Sequence, residues 1–542
     1  MFLIPVWVPV LAPVLVAAVG YYLPRRLFQR LYLVFQMAQV GVVTSILLVV
    51  RRAGTQRLVL GGWQSGIGIA LEADPVSAAL IALTGWFFLL LLIFNLRKSY
   101  MDRLFQFLLG ILQGLLIGLF LAGDLFNMYV LLELSTLVVA ILIMYKRNKQ
   151  ALYNGMVYMT VNLASMSFML LGIGFVYRAL GTLDIRQIGA LAAAVSDPRT
   201  LMLPYAFVMT AISVKAALFL LFGWLPPAHG APSAPSVVSA VLSGLQVKAG
   251  VYLFIRVQAA FAPALQTRTF FLVVGILTAV CGFVLAIAQK DIKLILAYHT
   301  ISQIGLIMVG LNAGTDTAWW GGVYHIVNHA VFKALLFLTA GVVIHRYGTR
   351  NVYQIRGVIR TMPFIGIGML AGMLGITGAP YFNGSVSKYL IQSGWEIRWA
   401  EIAIHVINLG TATSFVKFST MLFGKPDPGV LAENGRSDQP DLFTRIVSLV
   451  MGVACFVGGF AAAPVISSLF GTSLKLDGAY VLEKGVTYAV TVAVAALLYF
   501  FVIRTTHVLD HLRRFRFRLN DLVLGVVLFF SATLAYLLAT VS

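Results

Sequence analysis

Apolar runs long enough to cross a lipid bilayer recur from one end of the chain to the other. They fall near 2–22, 31–50, 75–96, 104–122, 125–144, 154–177, 201–225, 236–255, 269–289, 294–312, 319–343, 361–392, 399–423, 446–470, 485–503 and 522–541. A helix needs about 20 apolar residues to cross a hydrocarbon core of roughly 30 Å. The pattern therefore predicts an all-α polytopic membrane protein with about 14–16 transmembrane helices. Connections are short except for 51–74, an amphipathic 179–200, an acidic 424–445 and 471–484, and no long soluble domain fits. Only 11% of residues are charged and the mean hydropathy is +0.92, whereas soluble proteins carry about 25% charged residues. The first run has neither a basic start nor a small-residue cleavage site, so it reads as a retained span.

The net charge of +20 does not point to nucleic acid, because no single basic face is offered to a duplex. Of the 39 Lys and Arg, 34 lie in loops and at helix ends, 23 of them in odd-numbered loops and 11 in even-numbered ones. The positive-inside rule then places the odd loops in the cytoplasm and both termini outside a multi-pass chain of the cell membrane. Cys281 and Cys455 sit in apolar runs without metal-ligand or disulfide spacing. No metal site and no cofactor motif is expected.

The same sorting places 18 of the 19 acidic residues in loops or at helix ends, and the exception is Glu133 in LFNMYVLLELSTLVVAILIM. A carboxylate at mid-bilayer depth costs at least ~2.5 kcal/mol unless it is paired, protonated or hydrated. Five lysines also fall inside spans: Lys215, Lys248, Lys333, Lys388 and Lys417. Burial weakens an ammonium's hold on its proton and a nearby carboxylate strengthens it, so a Glu–Lys pair of variable separation is a proton switch. A static ion pair between helices is the alternative. Lys417 is near a helix end and is expected to snorkel. His325, His329 and Lys333 are spaced i, i+4, i+8 and share one helix face, and imidazole can both accept and donate a proton.

Two spans look interrupted. Lys215 is followed by Gly223-Trp-Leu-Pro-Pro227 and AHGAPSAPS, and Lys388 is preceded by Gly375-Ile-Thr-Gly-Ala-Pro380 and YFNGS. Pro226, Pro227, Gly378 and Pro380 are the expected break positions. Freed backbone groups at that depth must be buried in protein or line a hydrated cavity, and paired broken helices point to an inverted repeat with its site between the halves.

At these residues the chain resembles the antiporter-like family shared by Mrp-type cation/proton antiporters, respiratory complex I and membrane-bound hydrogenases. The resemblance runs from about Gly61 to Gly424 through GDLFNMYVLLEL, SVKAALFLLFGWLP, SAVLSGLQVKAGVYLFIR, QKDIKLILAYHTISQIGLI, HIVNHAVFKALLFLTAG and FNGSVSK. LGGWQSGIGIALEADPVSA (60–78), GDLFNMYV and Lys388 resemble the D-type member of Mrp antiporters most. The resemblance implies N-terminal helices in 1–103, inverted five-helix repeats in 104–257 and 258–423, and C-terminal helices in 424–542. It further implies that Glu133 modulates Lys215, that Lys248 is the central relay, that His325 and His329 continue the path, and that Lys388 ends it near an exit; Lys333 joins the path on its shared helix face alone. His229, His299 and Asp124 are secondary candidates. Pro227 stands where relatives often carry an acidic residue, His299 where a small hydroxyl residue is commoner, and the helices after about residue 480 exceed the usual fourteen.

The expected function is proton movement coupled to counter-movement of a monovalent cation, Na+ or K+, in a complex with other membrane subunits. The alternative is a proton-pumping subunit of a redox complex, with its redox centres in partner chains. A purely structural subunit would have no need for mid-membrane charges. Nothing resembles a nucleophile with its base, so an enzyme acting alone is not expected.

Overall fold

The computed structural model describes residues 5–541 apart from 63–67, 99, 231–233, 396–397, 427–428, 430–438, 473–478, 506–507 and 515–516. Parts of the 60–78 motif, of AHGAPSAPS, of the acidic 424–445 connection, of 471–484 and of the first run lie outside the described residues. Twelve described helices are long and apolar enough to cross a membrane, from Arg25–Ala53 to Leu519–Thr540. The remaining apolar runs correspond to shorter or more polar helices: Val8–Tyr21, Arg199–Lys215, Pro363–Thr377 followed by Asn383–Ser393, and Arg398–Ser419.

Aspartates start many of these helices. Asp74, Asp102, Asp124, Asp184, Asp291 and Asp441 each accept backbone N–H groups of the first turn. That satisfies donors a helix start leaves free and sets a negative charge at the positive end of the dipole. The acidic residues thus mark helix boundaries. One addition to the expected plan is a two-stranded antiparallel hairpin, Gln56–Val59 with Ala70–Ala73, in which Gln56 faces Ala73 and Val59 faces Ala70. It helps to tie loops together on one face. Leu71 bridges Ala122, Asp124 bridges Asp184, and Arg57 pairs with both Glu72 and Asp184. On the opposite face Asp291 bridges Asn351, and Lys98 pairs with Asp441 at 3.3 Å.

The first interrupted span departs from expectation in its cause. The helix ends at Lys215, and the irregular stretch is Ala216–Leu221, with Ala217 and Leu220 at φ +55° and +70°. Pro226 and Pro227 lie beyond it, in the first turn of the short helix Leu225–Gly230, where a proline costs no hydrogen bond. The break is held by neighbours instead: Trp224 Nε1 donates to the Val214 carbonyl at 2.9 Å, and Phe219 N donates to Thr278 Oγ1 at 2.8 Å. In the second interrupted span Gly378 ends its helix at φ +82°, and the chain passes Pro380 before helix Asn383–Ser393 begins.

Lys417 does not snorkel. It is fully buried and donates to the carbonyls of Ala286, Ile287 and Gln289 at 3.1, 2.6 and 2.7 Å. A cation there satisfies the carbonyls at the end of helix Arg268–Ala288 and complements its dipole. Lys417→Met is expected to lower stability by on the order of 3 kcal/mol, because several buried carbonyls lose their donor. The check is the thermal midpoint of the detergent-solubilised protein; an unshifted midpoint would contradict the capping role.

Candidate functional site

Glu133 lies at the middle of helix Leu125–Ile143, half-buried. Lys215, at the end of its helix, is buried and donates to Thr136 Oγ1 at 2.6 Å, one turn from Glu133. No ion pair within 4.0 Å joins Glu133 to Lys215 among the described residues, so the two charges act on each other at a distance rather than in contact. Around them the Tyr158 hydroxyl meets Thr136 and Gln246, and Gln246 Nε2 donates to Ser135 Oγ at 2.9 Å.

Gln246 belongs to a π-helical turn, Leu242–Gln246, inside the span Ser236–Phe261. Such turns shift the backbone ladder, and here the Ser243 carbonyl accepts from Lys248 Nζ. Gly250 permits the approach of this helix to the break, since a Cβ there would lie 2.6 Å from Ala216 N. Lys248 is fully buried and its Nζ also contacts His329 Nδ1. That contact crosses from the first half of the chain to the second.

On helix Asp316–Tyr347 the rings of His329 and His325 are stacked with centroids 6.3 Å apart. His325 Nε2 faces Gln303 Oε1 at 3.0 Å, an acceptor, and His325 Nδ1 faces Ser387 Oγ at 2.8 Å. With that amide orientation Nε2 carries the proton and Nδ1 accepts from the serine hydroxyl. Ser387 adjoins Lys388, whose Nζ turns to the Ile376 carbonyl at 2.8 Å, at the end of the broken helix. Lys333 is set apart from this line, donating to the Leu296 carbonyl at 2.6 Å with its ammonium 5.9 Å from the Phe337 ring centroid.

The secondary candidates separate. Asp124 is a helix cap, with Oδ1 accepting from Asn127 N at 2.7 Å; burial pushes its carboxyl up against the pull of those N–H groups. His229 is buried and stacked on Phe337 at 4.8 Å, and His299 is buried 4.8 Å from Phe415. Neither ring has a protein hydrogen-bond partner on either nitrogen, and the same holds for Glu133 Oε2, Gln246 Oε1, His329 Nε2 and Gln303 Nε2. Buried polar atoms are satisfied by protein or by water, so water is the partner these atoms call for.

Sequence reading missed Thr136, Gln246, Ser243, Gln303 and Ser387, because neutral hydroxyls and amides are cheap enough in helices to carry no signal. It also missed Lys293, assigned to a loop, which is buried and donates to the Ala234 carbonyl at 2.8 Å.

Residues 122–413 match the family described as NADH:quinone oxidoreductase/Mrp antiporter, TM. The chain is 31% identical to the N-type subunit of the NADH-quinone oxidoreductase of Desulforudis audaxviator, over 77% of this chain and 87% of that one. It is 28% identical to the D-type subunit of the Na(+)/H(+) antiporter of Bacillus subtilis, over 71% and 79%. Its fold is similar to that of a chain in the Mrp complex from Dietzia sp. DQ12-45-1b, with TM-score 0.77 and 23% identity over 94% and 99% of the two chains.

Proposed function

Because the chain belongs to the NADH:quinone oxidoreductase/Mrp antiporter membrane family, and is thus an antiporter-like membrane subunit, we propose that it carries protons as the D-type subunit of a monovalent cation/proton antiporter. One observation carries this reading: the contact of Lys248 Nζ with His329 Nδ1, which joins the Glu133–Lys215 half to the His325–Lys388 half. In this reading 104–257 and 258–423 are inverted five-helix repeats, and both termini face outside the cell membrane.

A proton reaching the first half loads Lys215, which Thr136 holds and whose charge Glu133 stabilises at a distance. When Glu133 is itself protonated that attraction is lost, and Lys215 releases its proton past the unpartnered Oε1 of Gln246 toward Lys248. Lys248 hands a proton to His329 Nδ1. His329 gives up its Nε2 proton toward Nδ1 of His325, the nitrogen of that ring that carries none, and from Nδ1 the proton moves to Ser387 as the serine's own hydroxyl proton passes to neutral Lys388. The membrane potential acts on each charge moved at ~2.3 kcal/mol per 100 mV across the full membrane, so one carboxylate suffices to bias direction.

Glu133→Gln tests this. Cation-driven proton movement by the assembled complex is expected to fall about tenfold, the effect of one unit in proton affinity at Lys215. A wild-type rate would sink the mechanism. The 31% identity to a quinone oxidoreductase subunit favours a second reading, a pumping subunit of a redox complex. Mass spectrometry of the co-purified subunits separates the two, since iron–sulfur or nickel proteins belong only to the second.

A further inference from the structure

Beside Lys388 the second half opens into a cleft of about 50 Å3 lined by Thr377, Lys388, Gln392, His405, Lys484 and Tyr488 among others. A water needs on the order of 15 Å3, so the cleft holds more than one. Two of its walls come from outside the repeats' proton line: helix Arg398–Ser419 brings His405, and helix Lys484–Ile503, beyond the usual fourteen, brings Lys484.

The hydrogen bonds here determine a protonation state. Lys484 Nζ donates to Gln392 Oε1 at 2.8 Å, and Gln392 Nε2 lies 2.8 Å from His405 Nε2. An ammonium only donates, so Lys484 determines which end of the Gln392 amide is oxygen. The NH2 end must then face His405, and His405 Nε2 must accept. In that arrangement the ring's N–H is at Nδ1 and the Nε2 lone pair takes the amide N–H. Glu401 Oε1 stands 3.9 Å from that same nitrogen, half-exposed like His405. Tyr488 closes the cleft by its hydroxyl contact with Thr377 Oγ1 at 3.0 Å, and Lys484 sits 5.1 Å from the Tyr389 ring centroid.

We propose that Gln392, His405 and Glu401 form the outer proton-transfer site of this subunit, with Lys484 of the added C-terminal helix as the positioning residue that sets it. The inference rests on the reading above that protons pass Lys388. A proton leaving Lys388 through cleft water binds His405 Nε2. Gln392 and His405 are then both donors, so their bond breaks and the imidazolium turns to Glu401. Release of the proton to water beyond Glu401 returns the neutral ring to Gln392, and Lys388 is left free to take the next proton from the histidine line. Protons are conserved at each step, and no other reactant is needed.

The test is cation-driven proton movement in proteoliposomes holding the complete complex. Lys484→Met and His405→Gln are each expected to slow it about tenfold, the scale of one lost hydrogen bond to a charged group. The double variant is expected to be no slower than either alone, since both act on one site. Lys484→Arg, also donor-only, is expected to restore most of the rate, which a merely packing role would not predict. Gln392→Leu removes the bridge while keeping the lysine, and is expected to match Lys484→Met even where that variant assembles poorly. Wild-type rates for Lys484→Met and His405→Gln, alongside a slow Glu133→Gln, would overturn the outer site and leave the proposed function standing. A wild-type rate for Glu133→Gln as well would overturn both.

Discussion

Replacing Lys248 with methionine is expected to abolish proton movement while leaving the thermal midpoint close to that of the wild type. Lys248 Nζ is held between the Ser243 carbonyl and His329 Nδ1, fully buried. Its contact with His329 joins titratable groups of the two halves directly. Methionine keeps the volume and removes the transferable proton, so the relay is cut where the halves meet. Losing a group that takes part directly in proton transfer typically costs 100-fold or more, roughly. The variant sheds the desolvation cost of a buried ammonium but leaves the Ser243 carbonyl without its donor, and the two effects oppose each other. The checks are the initial transport rate of the reconstituted complex and its thermal midpoint. A variant that still exchanges protons at a tenth or more of the wild-type rate, roughly, would place the main path elsewhere.

The second large effect is expected at Gly384, and it is steric. A Cβ on Gly384 would lie 1.9 Å from the Gly375 carbonyl oxygen and 3.0 Å from its carbon, both backbone atoms that no rotamer change can move. Gly384→Ala must therefore push helix Asn383–Ser393 away from helix Pro363–Thr377. Lys388 would lose the Ile376 carbonyl and Ser387 would leave His325, contacts now at 2.8 Å each. Overpacking of this kind costs about 1–3 kcal/mol or more. Both a lower thermal midpoint and a lost transport rate are expected. A variant that transports and melts normally would show that the close approach is dispensable.

Much of the architecture was legible because the cost of placing a side chain in lipid depends on its type and its distance from the ends of the run. That is why Lys215, Lys248, His325, His329, Lys333 and Lys388 could be singled out, and all six are buried. The aspartates at run boundaries were legible for a related reason, since a carboxylate is comfortable at a helix start and costly a few turns further in. Lys417 shows where the argument stops. Its distance from the helix end predicted an ammonium in water, but the end of a neighbouring helix offers three carbonyls instead. Pro226 and Pro227 mark a similar limit. Proline is a strong signal of irregular backbone, yet the break falls at Ala216–Leu221, where tertiary contacts from Trp224 and Thr278 hold it open.

Hydropathy and motif order alone make this chain a bundle of membrane-crossing helices with one mid-span carboxylate and a set of intramembrane bases, and they carry the family resemblance. Hydropathy, length and motif order are sums over many residues, so they survive without coordinates. Which atoms meet is settled by how the helices pack: Lys215 on Thr136, the π turn that aims the Ser243 carbonyl at Lys248, and Lys484 reaching Gln392 across the fold. Hydrogen bonds are short and directional, and a shift of about an ångström makes or breaks one. Such contacts depend on how helices far apart in the chain are set against each other, which no local pattern encodes.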